Sequence, residues 1–339
     1  MRAPPASACR APAAHYPSLW RPVIFRPCHG GLSSDSGTVR DTTVTAEGMN
    51  NGGQRLRELL ARPGIVRLLG AHDALTALAV ERAGLEAVFL GGFGVSASML
   101  GLPDLNFLGI SEMAEATRRV AQRVSLPVLA DADTGHGGLH NVAHCVRELR
   151  QAGAAGMILE DQEFPKRCGH FAGKRVIPGT EMARKIQVAA AARGDSGFVL
   201  VGRTDAREPH GLEEAIRRAN LYCEAGADVA FVEAPLSEEE LRAICRQVPH
   251  PKLVNMLAFG KTPSLSAAAL AEMGFDMVVA PIDSVLLLAR AMGRLAEAFR
   301  QDGHTGALAG EMTDFAGIKE LLGLQEFLDL QEARDKPAD

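Results

Sequence analysis

The residues AAGMILEDQEFPKRCGH, at positions 154–170, decide how the fold is interpreted. The apolar run 154–159 is typical of a strand buried on both faces, and Glu160 stands where that strand would end. A basic loop follows, and its cysteine, Cys168, is flanked by Lys166, Arg167 and His170. Positive neighbours favour the reactive form of a thiol. The stretch predicts a site at the carboxyl end of a parallel strand, where α/β folds bind ligands. The alternative is a surface loop with an inert cysteine.

Short apolar runs alternate with longer amphipathic runs on both sides of this stretch. Eight such runs predict strands, and the segments between them predict helices. This is the count of a (β/α)8 barrel, an α/β fold of the TIM type. The predicted strands span residues 65–69, 87–91, 127–131, 155–160, 198–203, 228–233, 252–256 and 277–281.

Polar residues close nearly every predicted strand, which favours the barrel over a doubly wound sheet. In a barrel all the carboxyl ends of the strands meet on one face, whereas in an open sheet they spread along an edge. The residues at these ends are Gly91, Gly92, Asp131, Asp133, Glu160, Arg203, Glu233 and Asn255.

Composition divides the chain into three parts. Residues 1–48 are rich in Ala, Pro, Ser and Arg and contain no acidic residue before Asp35. They predict a disordered tail, a transit peptide or a mis-called start, since Met49 opens a polar lead-in. Residues 49–301 are predicted to form the catalytic barrel, and residues 302–339 a C-terminal extension with one or two further helices.

Charge and composition argue against several classes of protein. A net charge of −5 without a Lys/Arg-rich run gives no support for nucleic-acid binding. No run of about twenty apolar residues predicts a membrane span. Six cysteines without CxxC pairing argue against zinc knuckles and a disulfide framework. We expect a cytoplasmic protein, or a mitochondrial one if residues 1–48 are a transit peptide. Three cysteines in helical patterns are predicted to be packing residues: Cys145, Cys223 and Cys245.

The carboxylates at two neighbouring strand ends suggest a metal site. Asp131 and Asp133 are predicted to project from the same side of an extended strand end, because side chains alternate along a strand. Glu160 ends the next strand. Three adjacent carboxylates repel one another, and a divalent cation would neutralise them. Ligands that are all oxygen suit Mg²⁺, or Mn²⁺, better than zinc. The alternative is that these carboxylates cap helices or pair with arginines.

Two further strand ends offer groups that bind an anion. The run Gly91-Gly92-Phe93-Gly94 is predicted to be a loop whose free amides can hold a carboxylate, although a plain tight turn fits it nearly as well. Arg203 offers a bidentate cation for a substrate carboxylate, or a salt bridge to Glu233 or Asp205. No GxGxxG fingerprint opens a helix and no P-loop motif occurs, so dinucleotide or ATP binding has little support.

Several short motifs carry a resemblance to a known family. They are Gly101-Leu102-Pro103-Asp104, Asp131-Ala132-Asp133, Glu160-Asp161-Gln162, Lys166-Arg167-Cys168-Gly169-His170, Arg203-Thr204-Asp205-Ala206, Glu233-Ala234-Pro235, Asn255-Met256-Leu257 and Phe259-Gly260-Lys261-Thr262-Pro263. Together they resemble the isocitrate lyase/phosphoenolpyruvate mutase superfamily over roughly residues 64–299. The intact Lys-Arg-Cys-Gly-His loop is similar to that of the lyase branch, which includes 2-methylisocitrate lyase, isocitrate lyase, 2-alkylmalate lyases and oxaloacetate hydrolase.

The resemblance implies a role for each matching residue. Asp131 and Asp133 would hold Mg²⁺ directly and through water, with Asp104 and Glu160 in the water-mediated shell. Cys168 would protonate the departing carbanion. The catalytic residues would be Cys168, Lys166, His170 and Arg203. The substrate would be bound by the Gly91, Gly92 and Phe93 amides and by Gly169, Arg203, Glu233 and Asn255. The loop over 164–174 would close over the substrate.

The implied activity is Mg²⁺-dependent cleavage of a carbon–carbon bond in a small 2-hydroxy di- or tricarboxylate. The representative is 2-methylisocitrate, which yields pyruvate and succinate, and the implied assembly is a homotetramer in which a C-terminal helix packs on a neighbouring barrel. Two departures from 2-methylisocitrate lyases put the tricarboxylate in doubt. Gly91 replaces their usual serine, and the residues after His170 are Phe-Ala-Gly-Lys rather than Arg-Pro-Asn-Lys.

Other functions stay open at this point. A 2-alkylmalate or oxaloacetate is the alternative substrate. A phosphonopyruvate-type mutase or hydrolase is a further alternative, and so is a barrel that binds carboxylates without turning them over.

Overall fold

The computed structural model describes residues 51–167, 169 and 173–335. Its eight strands are all parallel and form a closed barrel in sequence order, with β8 pairing back to β1. The predicted (β/α)8 fold is therefore confirmed. The strands are β1 Val66–Ala71, β2 Ala87–Leu90, β3 Val128–Asp131, β4 Gly156–Glu160, β5 Val199–Thr204, β6 Val229–Val232, β7 Lys252–Asn255 and β8 Met277–Ala280.

Helices connect the strands and extend the chain beyond the barrel. They are α1 Gly52–Ala61, α2 Ala74–Arg82, α3 Gly92–Val95, α4 Ile110–Ala121, α5 Leu139–Gln151, α6 Gly179–Arg193, α7 Arg207–His210, α8 Leu212–Glu224, α9 Glu238–Gln247, α10 Ala267–Met273, α11 Asp283–Asp302, α12 Phe315–Leu321 and α13 Leu324–Asp335. A π-helical turn, Ser96–Leu100, follows α3, and a 3-10 turn, Gly306–Glu311, follows α11.

Local capping explains where several helices begin. Asp73 accepts a hydrogen bond from the Thr76 amide at 2.8 Å and so caps α2. Ser237 does the same for α9, whose first turn also carries Glu238, Glu239 and Glu240. Negative charge there stabilises the positive end of the helix dipole.

The barrel holds two layers of apolar packing. Inside it, side chains such as Phe89, Leu129, Ile158 and Phe231 fill the lumen. Leu56 of α1 is fully buried against them and closes the amino-terminal end. The second layer lies between the strands and the surrounding helices. Because the lumen is filled with apolar side chains, the polar strand ends are left to form a site at the carboxyl face.

Two predictions about the loops after the strands were wrong. The segment after β2 is helical rather than a loop, since α3 and the π-helical turn occupy it. The Asp131 carboxylate accepts the Gly92 amide at 3.1 Å, and this tertiary hydrogen bond supports a turn of helix that glycines alone would not favour. Asp133 is not part of an extended strand end either. Its φ of 47° places it in the left-handed region, so the chain has already turned away.

The C-terminal helices lie against the outside of the barrel. Arg82 of α2 pairs with Glu320 of α12 at 2.7 Å. Arg123 donates to the Leu322 carbonyl at 3.1 Å and lies over the ring of Phe327. Two helices thus follow the 3-10 turn, α12 and α13, in the region where one or two were predicted. Across the described residues, no helix has the length and apolar character needed to cross a bilayer.

Candidate active site

A pocket lies at the carboxyl ends of the strands. Its volume is about 580 Å³, including the solvent-filled space at its entrance. Its lining includes most of the predicted site residues. They are Gly91, Phe93, Asp104, Asp131, Glu160, Lys166, Gly169, Arg203, Glu233 and Asn255. Its lining also includes a set of apolar residues, which are Phe89, Ile158, Phe231, Leu257, Val279, Pro281 and Ile282. The barrel therefore brings together residues that are distant in sequence.

An ammonium group lies among the carboxylates that were predicted to hold a metal. The Lys166 Nζ is 2.8 Å from both oxygens of Asp104 and 2.8 Å from Oδ1 of Asp133. Asp131 adjoins this cluster, because its Oδ1 accepts the Asp133 amide at 3.0 Å. All of these groups except Asp131 are buried. The alternative, that these carboxylates cap helices or pair with arginines, is present for two of the three. Asp131 accepts the amide of Gly92 at the start of α3, and Glu160 lies 3.3 Å from Arg203, whereas Asp133 pairs with a lysine.

Burial and crowding shift the proton affinities in this cluster. Burial raises the pKa of the Asp133 carboxyl to about 7; Asp131 and Asp104 add to this shift while Lys166 opposes it. Burial would lower the pKa of the Lys166 ammonium, but attraction to the Asp133 and Asp131 carboxylates outweighs it and raises this pKa well above its usual value. Lys166 is therefore charged at every ordinary pH, and the cluster has an excess of negative charge.

The chemistry of this cluster fits a hard divalent cation. Its donors are carboxylate oxygens, and the Glu160 Oε1 is buried without a hydrogen-bond partner among the described residues. Within the same residues, no three Asp, Glu, His or Cys side chains come together in a group that could hold an ion by themselves. Mg²⁺ usually keeps several waters and takes few ligands from the protein. A shell in which the carboxylates bind the waters of the ion would suit side chains that do not form such a group.

Arg203 is the centre of the second charged group. Its Nε and Nη2 donate to Asp205 Oδ2 and Oδ1 at 2.9 and 3.0 Å. Its Nε is also 3.3 Å from Glu160 Oε2, and its Nη2 is 3.7 Å from Glu233 Oε2. The guanidinium lies 5.3 Å from the centre of the Phe231 ring, a distance that allows a cation–π contact. The salt-bridge alternatives for Arg203, to Asp205 and Glu233, are therefore both present.

Gly169 lies directly against Arg203. A Cβ at this position would be 2.2 Å from Arg203 Nη2 and 2.9 Å from Glu233 Oε1. Any larger residue would have to displace the guanidinium, so the close approach requires glycine. The predicted catalytic residues Cys168 and His170 lie outside the described residues.

One buried aspartate that the sequence interpretation did not single out connects the pocket to the helices. Asp161 is fully buried and accepts four hydrogen bonds at 2.6–3.0 Å. Burial raises the pKa of this carboxyl and the nearby Asp205 adds to the shift, while the hydrogen bonds oppose it. The donors are Thr204, the Asp205 amide, Arg218 and Tyr222. Asp161 therefore fixes the end of β5, which carries Arg203, to α8.

Asn106 and Lys174 were also missed. Asn106 Oδ1 accepts the Lys166 amide at 3.0 Å, and Lys174 bonds to Asp205 at 2.8 Å. Both residues act across long stretches of chain, so no local pattern marks them. Their shared connection to the pocket could be predicted only in part, since the sequence offered Asp205 as a partner of Arg203 but gave no sign of Lys174.

The helical cysteines pack as predicted. Cys145 and Cys223 are buried and reduced, and Cys245 is half-buried. Burial raises the pKa of the Cys145 and Cys223 thiols to about 12, so neither is a reactive thiolate near neutral pH.

The family model described as phosphoenolpyruvate phosphomutase matches residues 56–300. The chain belongs to this family. It is 45% identical to the petal death protein of Dianthus caryophyllus over 81% of the chain and 87% of that protein. It is 39% identical to 2,3-dimethylmalate lyase of Eubacterium barkeri, covering 83% of the chain and 97% of that protein. It is 40% identical to 2-methylisocitrate lyase of Bacillus subtilis (strain 168), covering 83% and 91%.

Solved structures agree with this placement in the phosphoenolpyruvate mutase/isocitrate lyase superfamily. Oxaloacetate acetylhydrolase in complex with 3,3-difluorooxalacetate superposes with a TM-score of 0.81 at 30% identity, covering 86% of this chain and 99% of that one. Phosphonopyruvate hydrolase in complex with oxalate and Mg²⁺ gives 0.75 at 31% identity, covering 84% and 99%. With relatives at about 40% identity named as lyases, the chain is a carbon–carbon lyase of this superfamily.

Proposed function

We propose that this enzyme cleaves the C2–C3 bond of a small 2-hydroxy di- or tricarboxylate in a Mg²⁺-dependent reaction. The representative substrate is 2-methylisocitrate, which gives pyruvate and succinate. The observation that supports this most is the arrangement of Lys166 and Arg203 in one pocket, with Glu160 3.3 Å from Arg203. Two fixed cations and a carboxylate cluster suit a substrate that is anionic and gains further charge as it reacts.

The carboxylate cluster is the part of the pocket that we assign to Mg²⁺. Asp131 and Asp133 would hold the ion directly and through water, and Asp104 and Glu160 would bind its waters. When bound, Mg²⁺ polarises the hydroxyl and carboxylate oxygens of the substrate. Lys166 already contacts Asp104 and Asp133, so we infer that it orients these carboxylates and offsets part of their charge.

The substrate carboxylate next to the hydroxyl would lie between Arg203 and the start of α3. The Gly92 amide donates to Asp131, so we assign the carboxylate to the amides of Gly91 and Phe93. Arg203 is held by Asp205, which leaves its guanidinium pre-oriented before substrate arrives. Such pre-organisation lowers the entropic cost of binding.

The bond changes balance without a further reactant. The C2 hydroxyl loses its proton and becomes the 2-oxo group of pyruvate. The electron pair of the C2–C3 bond moves to C3 and its carboxylate, which becomes doubly charged. Cys168 would deliver a proton to C3, which completes the carboxylate product and leaves the cysteine as a thiolate. The proton lost from the C2 hydroxyl would return through solvent to that thiolate, so no proton is gained or lost overall. Lys166, Asn255 and His170 would line this part of the pocket and help to exclude water.

A 2-alkylmalate is the second candidate substrate, and the apolar residues that line the pocket favour it. Leu257, Pro281 and Ile282 offer a surface on which an alkyl substituent can be buried. Each buried methylene contributes about 0.8 kcal/mol. A third carboxylate would gain nothing from that surface. For 2,3-dimethylmalate the products would be pyruvate and propionate.

Removal of the metal should abolish turnover, because the hydroxyl and carboxylate oxygens of the substrate would no longer be polarised by the ion. We expect pyruvate from the full-length enzyme with 2-methylisocitrate or 2,3-dimethylmalate and Mg²⁺, and less than about 1% of that rate after chelation. A coupled assay for pyruvate measures both, and restored activity on adding Mg²⁺ back is the control. Undiminished pyruvate release after chelation would rule out the metal, and turnover of phosphonopyruvate alone would support a mutase-type or hydrolase activity.

We propose that the enzyme assembles as a homotetramer through its C-terminal helices. The 20-residue helix α11 has no buried residue, and it exposes Leu287 and Phe299 at 70% and 60%. Exposed apolar surface of this extent marks an interaction site, and a neighbouring barrel of the same chain is the partner we infer. Light scattering should give the mass of four chains, and Leu287→Glu should lower it. A monomer at micromolar concentration would contradict the proposal.

A further inference from the structure

We propose that Lys174 is a positioning residue, which sets the orientation of Arg203 through Asp205 and holds Gly169 over the same guanidinium. This inference rests on the proposed function, in which Arg203 binds the substrate carboxylate. It assigns a role to a lysine that lies at the end of the segment 164–174 and does not line the pocket.

The contacts of Lys174 form a continuous chain of charges to Arg203. The Lys174 side chain is fully buried, and its Nζ is 2.8 Å from Asp205 Oδ1. Asp205 is equally buried, and the same Oδ1 accepts Arg203 Nη2 at 3.0 Å. The ammonium and the guanidinium thus share one carboxylate oxygen. Any movement of Lys174 must change the position of Asp205, and with it the guanidinium.

Lys174 also holds the backbone that covers Arg203. Its Nζ donates to the Gly169 carbonyl at 2.7 Å. Gly169 is the residue with no room for a side chain, because Arg203 Nη2 would lie 2.2 Å from its Cβ. Lys174 therefore contacts both Asp205, which holds Arg203, and Gly169, which lies against Arg203. The buried Lys174 ammonium thus connects the backbone at Gly169 with Arg203, the group that we assign to substrate binding.

The electrostatics keep this connection intact over the ordinary pH range. Burial raises the pKa of Asp205, but Arg203 and Lys174 outweigh it and hold this pKa at about 2. Burial lowers the pKa of Lys174, but the Asp205 and Glu233 carboxylates outweigh it and raise this pKa. Both groups are therefore ionised near neutral pH. Burying an ammonium is costly, and a well-packed apolar side chain would often be as stable. A positioning role gives a reason for the lysine that stability alone does not.

The chain next to Lys174 has a second anchor in Glu208, which also lies 3.9 Å from the Lys174 Nζ. The Gly173 amide donates to Glu208 Oε1 at 2.9 Å, and Glu208 pairs with Lys261 at 3.1 Å. Removing the Lys174 ammonium should therefore leave the end of the segment in place and release its contacts with Asp205 and Gly169. The expected effect is a specific loss of carboxylate binding rather than a general loss of structure.

The test compares full-length Lys174→Met with Lys252→Met in the presence of Mg²⁺. Lys252 is a matched control, because it is a buried lysine at the amino-terminal end of β7 and bonds to the His250 carbonyl at 2.7 Å. Calorimetry with oxalate, a small dicarboxylate, measures carboxylate binding without turnover, and pyruvate release gives KM and kcat separately. For Lys174→Met we expect the oxalate Kd and the substrate KM to rise about 10-fold or more, with a smaller fall in kcat. Lys252→Met should change both by less than twofold.

Several outcomes would overturn the inference. One is an oxalate Kd within twofold of wild type in Lys174→Met. Another is a wild-type enzyme that does not bind oxalate at all, since Arg203 would then not serve as a carboxylate site. If Lys174→Met does not fold, the test uses Lys174→Gln, which keeps a hydrogen-bond donor. We expect its oxalate Kd to lie between those of wild type and a variant without a donor. A wild-type Kd in Lys174→Gln would also contradict the role. Wild-type enzyme that binds oxalate but releases no pyruvate would refute the proposed function alone.

Discussion

Replacing Arg203 with methionine is expected to lower kcat/KM for pyruvate release by about 10³-fold or more. The substitution removes the cation that we assign to the substrate carboxylate, and it does so in a pocket where charged hydrogen bonds are strong. It also leaves Asp205, Glu160 and Glu233 without the guanidinium that lies among them. Steady-state kinetics on the purified full-length variant would measure the loss, with thermal unfolding recorded in parallel.

Two variants separate the charge of Arg203 from its shape. Arg203→Lys keeps the charge but cannot bond to Asp205 through two nitrogens, so we expect a partial loss of about 10²-fold. Arg207→Met is the control, because Arg207 pairs with Glu240 in the same region of the fold and does not line the pocket. Its kcat/KM should stay within twofold of wild type. An Arg203→Met enzyme within 10-fold of wild type would show that the carboxylate binds elsewhere.

The second large effect is expected for Cys168→Ser. If the Cys168 thiol donates the proton to the departing carbanion, a serine hydroxyl at the same position is a far weaker acid. We expect kcat to fall by about 10²- to 10⁴-fold, the usual range for losing a general acid. The oxalate Kd should stay within about threefold of wild type, because the proton donor is not a carboxylate-binding group.

Cys245→Ser is the matched control for that experiment. Cys245 is half-buried in α9 and does not line the pocket, so its removal should leave kcat unchanged. Turnover in Cys168→Ser at more than a tenth of the wild-type rate would mean that another group supplies the proton. The assignment of Cys168 as the proton donor rests on its neighbours in the sequence, Lys166, Arg167 and His170.

The strand ends were predictable from the sequence because each is a local signal. An apolar run of four to six residues followed by a polar residue identifies both the strand and its end. Glu160 and Arg203 illustrate this, since they were assigned to separate strand ends and are partners in the β4–β5 register. Closure of the barrel then brings all these ends to one face, which explains why most predicted residues line one pocket.

Other features depend on contacts between distant parts of the chain and carry no local signal. The run after β2 is rich in glycine and reads as a loop, yet Asp131, nearly forty residues later, supports its first helical turn. Asp133 adopts a left-handed conformation that alternation along a strand does not anticipate. The Lys166 ammonium contacts Asp104, 62 residues earlier in the chain, and also contacts Asp133. Lys174 was missed for the same reason.

The measurement that tests the central claim most directly is the identification of both products by NMR. Full-length enzyme with Mg²⁺ would be incubated with 2-methylisocitrate, and separately with 2,3-dimethylmalate, in D₂O. Cleavage of the C2–C3 bond predicts pyruvate together with an equal amount of succinate or propionate, and a single deuterium at the carbon that was C3. Unchanged substrate in both samples, or pyruvate without the matching acid, from an enzyme that is folded and binds oxalate would contradict the proposed lyase activity.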